Sequence, residues 1–286
     1  MNKIDFIGFI ECRNANPNGD IDEDNRPRQN DDGYGYMTDV CIKRRIKDCV
    51  KTLKADNPRY KLYIENDRIP LETKANKFVE ENGTYEKIKE MSAEEKFKMV
   101  KNGFKAEYFD IRTFGGVISS FTKDKYLDGQ MRGCVQISFA QSLDPISPEQ
   151  LTISRVSVQT EKDAKEKSSE LGKKWIVPYG VYMFNGHIDP FAAEKNGFTE
   201  EDKETLFDAI MKMYDFNQSA SSTGMSVLKI FILEHENQLG KCGFRKIMNA
   251  LKIERNDAGN SYISCPYNIY FDITSLPDGI HVTCME

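Results

Sequence analysis

The chain has 286 residues, with 40 Lys and Arg against 45 Asp and Glu, a formal charge of −5 and 39% hydrophobic residues. That length buries a sizeable core in one large domain or two small ones, and the apolar content excludes a disordered chain. The acidic balance argues against a freestanding, sequence-indifferent DNA binder, which carries positive charge toward the phosphates.

The run Ile4 to Cys12 reads as a buried strand, ended by the turn formers of Arg13-Asn14-Ala15-Asn16-Pro17-Asn18-Gly19-Asp20. A long irregular loop is expected from Arg13 to Tyr36. Thr38 then N-caps a helix reaching about Lys54, with Asp39 in its first turn. Ile42, Ile46, Cys49, Val50 and Leu53 share one face, while Lys43, Lys47, Lys51 and Lys54 share another, flanked by Arg44 and Arg45. This cationic stripe is either a solvated face or an anion-binding one.

Asn57 to Phe104 reads as a helical insertion, with helical patterns at Tyr85 to Glu90 and Ala93 to Lys101 and a capping box at Ser92-x-x-Glu95. Cys134 to Leu143 alternates as a strand, and Trp175 to Ile188 reads as two strand halves broken near Pro178. The charged stretch between Ser157 and Lys174 has nothing to bury and is expected as an exposed protrusion. Thr199-x-x-Asp202 caps a helix whose Leu206, Ile210 and Met213 face inward, Met225 to Glu234 is a buried strand, and Leu251 onward adds one more hairpin. Without insertions the order is βαββαβ. The expected fold class is therefore α+β with a ferredoxin-like, RRM-type core, a topology that names no function by itself.

Chemical motifs are sparse. The segment from Asn14 imitates a calcium loop but has Asn at its first position, an internal Pro, and Asn25 where a bidentate Glu belongs, so a turn presenting backbone N–H groups to an anion fits better. Arg132-Gly133-Cys134-Val135-Gln136-Ile137-Ser138-Phe139 follows an RNA-recognition strand signature in part, but Cys134 and Gln136 replace the stacking aromatics. His187, His235 and His281 stand in no metal-binding spacing, and seven scattered cysteines form no C-x-x-C pair, so no cofactor, metal or disulfide framework is expected. The small hydroxyl residues and Gly of Gln218 to Met225 form either a phosphate cradle or a structural loop. No apolar run reaches the roughly 20 residues that span a bilayer, and Met1 to Asp5 lacks a signal-peptide pattern, so a cytoplasmic protein with no membrane partner is expected.

Several strings occur together in a fixed order: Asn16-Pro17-Asn18-Gly19-Asp20, Asn25-x-Pro27-Arg28, Thr38 to Ile46, Asp110-Ile111-Arg112-Thr113-Phe114-Gly115-Gly116, Gln130-x-Arg132-Gly133-x-Val135-Gln136, Ile153-Ser154-Arg155, Val177-Pro178-Tyr179-Gly180 and Leu239-Gly240. From about Asp5 to Leu251 the chain thereby resembles the backbone subunits of type I CRISPR surveillance complexes (Cascade), the Cas-seven group, most closely the type I-C branch. The resemblance implies a non-enzymatic subunit that polymerises along a CRISPR guide RNA and presents spacer bases to complementary target DNA. Its implied partners are that guide, the target DNA, further copies of itself, the guide-processing and large Cascade subunits, and a recruited helicase-nuclease.

The resemblance also implies a discontinuous palm (1–54 and 105–250) carrying a β-hairpin thumb at 156–174, a helical finger at 55–104 and a palm extension at 251–286. RNA contacts are expected at Arg13, Asn18, Arg28, Lys43, Arg44, Lys47, Arg112, Arg132, Arg155, Gln159, Ser219 and Met225. Gln141, Gln218 and Ser222 stand where relatives commonly carry basic residues. The alternative function is a metal-dependent ribonuclease, like distant type III backbone relatives, using acidic loop residues such as Asp20, Asp22, Asp24, Asp31 and Asp32. A guide held through its phosphates is bound without sequence preference, as a subunit facing every stretch of a variable spacer requires.

Overall fold

A computed structural model of the chain describes residues 1–65, 67–82, 90–117, 130–155, 170–216, 218–256 and 264–286. The first third comprises β1 (Ile4–Ala15), the short strands β2 (Gly19–Asp20), β3 (Arg26–Pro27) and β4 (Tyr34–Met37), and helices α1 (Asp39–Leu53), α2 (Leu71–Asn82) and α3 (Ala93–Glu107). There follow α4 (Phe109–Thr113), β5 (Gly115–Val117), β6 (Gln130–Arg132), β7 (Val135–Ile137), β8 (Ala140–Pro145), β9 (Glu149–Arg155) and β10 (Glu170–Ile188). The remainder holds α5 (Pro190–Asn196), α6 (Glu200–Lys212), β11 (Met225–His235), α7 (Phe244–Ala250), β12 (Leu251–Arg255), β13 (Tyr267–Phe271) and β14 (Ile280–Met285).

The main sheet runs β14-β11-β1-β10-β8-β4 with every pairing antiparallel. Residues on β1 alternate between two cores, as the two-residue period of a strand requires. Ile4, Phe6, Ile10 and Cys12 face α1 and α6, meeting Ile42, Ile46 and Val50 from one helix and Leu206 and Ile210 from the other. Ile7 and Phe9 face the opposite side, where Val181, Phe231 and Leu233 pack beneath Ile247, Leu251 and Ile269 of the C-terminal elements. A third cluster, with Tyr63, Phe78, Val79, Val100 and Phe104, belongs to α2 and α3 and shares Ile111 and Met131 with neighbouring segments.

The expected helix starts hold. Thr38 accepts the Cys41 N–H, and Thr199 and Asp202 form a reciprocal capping box on α6. Several boundaries differ from expectation. β1 continues to Ala15 because the left-handed Asn14 (φ +48°) is passed over: Arg13 pairs with Tyr179 and Ala15 with Val177, leaving Asn14 opposite Pro178 outside the ladder. On its other side Pro178 falls between the pairings of β10 with β9 and with β8, so its missing N–H costs no ladder bond and β10 runs unbroken.

The expected strand Cys134 to Leu143 is two, β7 and β8, and the 13–36 loop contains the β2/β3 pair and β4. The protrusion has an antiparallel stem that begins at Glu149, with Glu149 paired to Ile176 and Arg155 to Glu170, whereas residues 156–169 lie outside the described residues. Helix α3 crosses the expected finger boundary at Phe104, α2 is an additional helix, and most of the Tyr85 to Glu90 pattern lies outside the described residues. Besides the expected hairpin, β12/β13, the C-terminal segment contributes β14 to the edge of the main sheet.

Candidate nucleic-acid interface

The Asn- and Asp-rich segment after β1 is fastened to the start of α1. Asn18 Oδ1 accepts the Thr38 N–H (2.9 Å) and hydroxyl (3.2 Å), and the Asn18 carbonyl accepts the Arg28 N–H (3.1 Å). Asp20 binds Arg28 through Oδ2 (2.7 Å) and the Asp22 N–H through Oδ1 (3.1 Å), so its carboxylate is already compensated. A Cβ on Gly19 would meet Asn25 Oδ1 at 2.0 Å, so this glycine admits the chain's own loop rather than an anion, contrary to expectation. Among the described residues no group of three or more His, Cys, Asp or Glu side chains is placed to hold a metal ion.

The cationic stripe of α1 is largely paired. Lys43 binds Asp39 at 2.8 Å, and Lys54 binds Glu201 at 2.9 Å. Lys47 donates to the Ile64 carbonyl (2.8 Å) and lies 3.9 Å from the buried Asp110; burial lowers its pKa, with Asp110 acting in the opposite direction. Lys47 is therefore a tie between α1 and the following segment, not an open RNA contact. Arg44 is the outlier, with a 65% exposed side chain and, among the described residues, one long approach to a carboxylate, Asp48 at 3.8 Å. It borders a groove of about 550 Å³ lined also by Val40, Lys43, Ile64 and Phe114.

Cys41 lies in the first turn of α1, where burial pushes its thiol up and the charges of Arg45, Arg44 and Arg28 oppose that shift only in part. Arg45 also stands over the Tyr214 ring at 5.6 Å. The loop at Ser219 joins this locus: Asn16 N–H donates to the Ser221 carbonyl (2.8 Å), Arg13 N–H to the Gly224 carbonyl (2.7 Å), and Lys174 at the base of β10 to the Ala220 carbonyl. Asn16 Oδ1, Arg28 Nε and Trp175 Nε1 are buried there with no hydrogen-bond partner among the described residues. Such orphans carry a desolvation cost of about 1–3 kcal/mol each. Arg26 covers the Trp175 ring at 5.6 Å.

Of the remaining expected contacts, Ser219 is exposed in this loop, whereas Met225 is core, 4% exposed and paired with Cys12. Arg112 is wholly buried between Tyr60 and Phe109 and bound to Asp202, so it cannot reach a ligand on the surface. Arg13 forms a two-pronged bond to Glu11 (2.8 and 2.7 Å) over the Tyr179 ring. Arg155 closes β9, Gln159 lies outside the described residues, and Arg132 is exposed in a different cleft. Sequence reasoning did not place Asn16, Arg26, Arg45, Lys174 or Trp175 at the locus. Arg45 carried a signal as part of the basic stripe; the others are joined by strand register, which no local motif encodes.

Comparison with known proteins bears on this arrangement. The chain is 23% identical over 290 residues to a CRISPR-associated protein Cas7 of Haloferax volcanii, an alignment covering 96% of this chain and 82% of the relative. Its fold is similar to a chain of a solved structure titled "CRISPR RNA-guided surveillance complex, pre-nicking", with a TM-score of 0.50, 10% identity and coverage of 81% of this chain and 78% of that one. The family model described as CRISPR-associated protein Cas7 matches residues 2–272, nearly the whole sequence, and the chain belongs to that family.

Proposed function

We propose that the chain is a guide-RNA-binding backbone subunit of a CRISPR surveillance complex of the type I-C branch. Copies of it polymerise along the guide and leave the spacer bases free to pair with target DNA, and the subunit itself performs no catalysis. The further partners are the guide-processing and large subunits and the recruited helicase-nuclease, and the compartment is the cytoplasm. The observation that carries the reading is the exposed Arg44 guanidinium on the groove of the basic helix α1, together with the exposed Ser219 loop tied to Lys174 of β10, on a chain whose net charge is −5. Guanidinium groups and loop hydroxyls grip phosphates without reading sequence.

The sheet supports the same reading. Its order β11-β1-β10-β8, with α1 and α6 on one face, supports a modified RRM core. The opposite face is filled by Ile247, Leu251 and Ile269, so bases are left to pair rather than to stack on the strands. A palm of 1–54 and 105–250, a finger of 55–104 and an extension of 251–286 follow from this assignment, supported by a core in the finger centred on Phe78 and Phe104 and by the packing of Leu251 and Ile269 on the second face of the palm sheet. Arg155 and Gln159 belong to the thumb contacts, and Lys43 flanks Arg44.

The test is RNA retention. Arg44→Glu is expected to reduce the small RNA of uniform length that copurifies with the protein severalfold, read at 260 nm and by denaturing gel, with an unchanged melting temperature because the side chain is exposed. Lys47→Glu is expected instead to lower the melting temperature, because it sets a carboxylate against Asp110 and the Ile64 carbonyl. Full RNA retention by Arg44→Glu sinks the assignment. Regularly spaced Mg²⁺-dependent cuts in complementary RNA would replace the non-catalytic reading with the ribonuclease one.

A further inference from the structure

A hydrogen bond joins the last turns of α3 and α5: Lys105 Nζ donates to the Lys195 carbonyl at 3.2 Å. That carbonyl is among the last four of α5, which a helix leaves without an N–H partner of its own. Both lysines line a cleft of about 320 Å³, together with Arg132 of β6. Among the described residues no carboxylate pairs with Lys105, whereas Lys61 meets Glu107 (2.7 Å) and Lys77 meets Glu81 (3.6 Å). Asp189, a carboxylate on the same wall, accepts the N–H groups of Phe191 (3.0 Å) and Ala192 (3.2 Å) as the cap of α5.

Lys105 is half-buried beside like charges. Burial lowers its pKa, and the charges of Lys101 and Lys195 lower it further. Such surroundings favour the neutral amine, and only the neutral amine has the lone pair of a nucleophile. Lys47, whose pKa burial lowers as well, keeps Asp110 at 3.9 Å to hold its charge.

The walls of the cleft also select the reagent. The Arg132 and Lys195 side chains are exposed there. Cations around a cleft concentrate small anions, and a guanidinium offers a phosphate two parallel donors. An acyl phosphate is both anion and electrophile: its phosphate is drawn to the cations and its acyl carbon is open to an amine. The volume lies at the small end of ligand pockets, in keeping with a reagent of that size.

We propose that Lys105 is a modification site, acylated without an enzyme by small acyl phosphates that the Arg132 and Lys195 side chains draw into this cleft. The Nζ lone pair attacks the acyl carbon, and an N–C bond forms as the C–O bond to phosphate breaks. Inorganic phosphate leaves with that electron pair, and the proton lost from nitrogen passes to water. The amide product carries no charge and keeps one N–H for the Lys195 carbonyl, so modification removes a cation from the cluster.

The test incubates the purified chain with acetyl phosphate and follows acetylation of each lysine by mass spectrometry of its peptides; no step depends on guide RNA. Lys105 is expected to be acetylated on the order of tenfold faster than Lys61 or Lys77, the low end of the enrichment that cations around a cleft produce. Across a pH series its rate is expected to level off at lower pH than that of a synthetic peptide of residues 102–108, which has the same sequence without the fold. Lys195→Gln is expected to slow Lys105 acetylation severalfold with an unchanged melting temperature, because that side chain is exposed. The preference for Lys105 is expected to shrink with the uncharged N-hydroxysuccinimide acetate. Acetylation of Lys105 no faster than that of Lys61 and Lys77 overturns the proposal, as does an unchanged rate in Lys195→Gln. Equal preference with both reagents overturns it too, by showing a reactive amine without an anion site.

Discussion

Arg112→Ala is expected to lower stability by about 3–5 kcal/mol, the cost of breaking a buried ion pair from one side. That is a large share of the roughly 5–15 kcal/mol by which folded proteins exceed their unfolded chains. The guanidinium is completely buried, with Nε and Nη2 donating to Asp202 Oδ1 (3.1 and 2.7 Å) and Nη1 to the Arg59 carbonyl (2.8 Å). Asp202 Oδ2 meanwhile accepts the Thr199 N–H and the Arg59 guanidinium, both at 2.9 Å, so one carboxylate caps α6 and anchors both arginines. Arg112→Lys is not expected to rescue, because an ammonium cannot reproduce the planar fork.

The pair also sets a pH dependence. Burial pushes the Asp202 pKa up, but the bonds and charge of Arg112, with Thr199 and Arg59, outweigh it and hold the carboxyl below its ordinary 3.8. A depressed folded value adds stability that is present above the unfolded pKa and is lost as pH falls through the folded one. Wild-type protein is therefore expected to lose this contribution only below about pH 4, and Arg112→Ala, in which burial is no longer opposed by that charge, to lose less stability than wild type on acidification through the same range. Thermal unfolding across a pH series reads both effects; an Arg112→Ala protein that melts like wild type would show the pair to be dispensable.

Gly224→Ala is expected to cost about 1–3 kcal/mol through overpacking and to reduce copurifying RNA severalfold. A Cβ at this position would lie 1.7 Å from the Arg13 carbonyl oxygen and 2.8 Å from its carbon, while the Arg13 N–H donates to the Gly224 carbonyl at 2.7 Å. Backbone cannot yield as a flexible side chain can, so either the end of β1 or the Ser219 loop must move. The glycine that reads as room for a phosphate is occupied by the protein's own main chain. Ser219→Ala separates the two roles: it is expected to leave the melting temperature unchanged and to reduce RNA retention modestly. Wild-type melting and RNA content in Gly224→Ala would show that the loop is not fixed through this contact.

Helices α1 and α6 were legible in the sequence because their signals are local. Thr38, Asp39, Thr199 and Asp202 act within one turn of their own chain, and the apolar positions repeat at the helical period. The end of β1 was not legible, because Asn14 followed by Asn16-Pro17 looks the same whether a strand stops or is irregular for one residue. The answer lay with Pro178, far along the chain on β10. Arg112 illustrates the same limit for the site, since an arginine in a family string can be a ligand contact or a buried brace. Its fate was decided by Asp202, 90 residues further on.

The sequence by itself determined the order of the core elements, the positions of the two principal helices and the concentration of six basic residues against two acidic ones between Thr38 and Lys54. These follow from composition, capping and periodicity, all of which are short-range. Only the tertiary structure decided which of those charges remain open: Lys43, Lys47 and Lys54 meet Asp39, Asp110 and Glu201, while Arg44 stays exposed. Two of those three carboxylates lie far from α1 in the chain, and folding brings them into range. Electrostatic pairing depends on distance in space, which the linear spacing of residues does not fix.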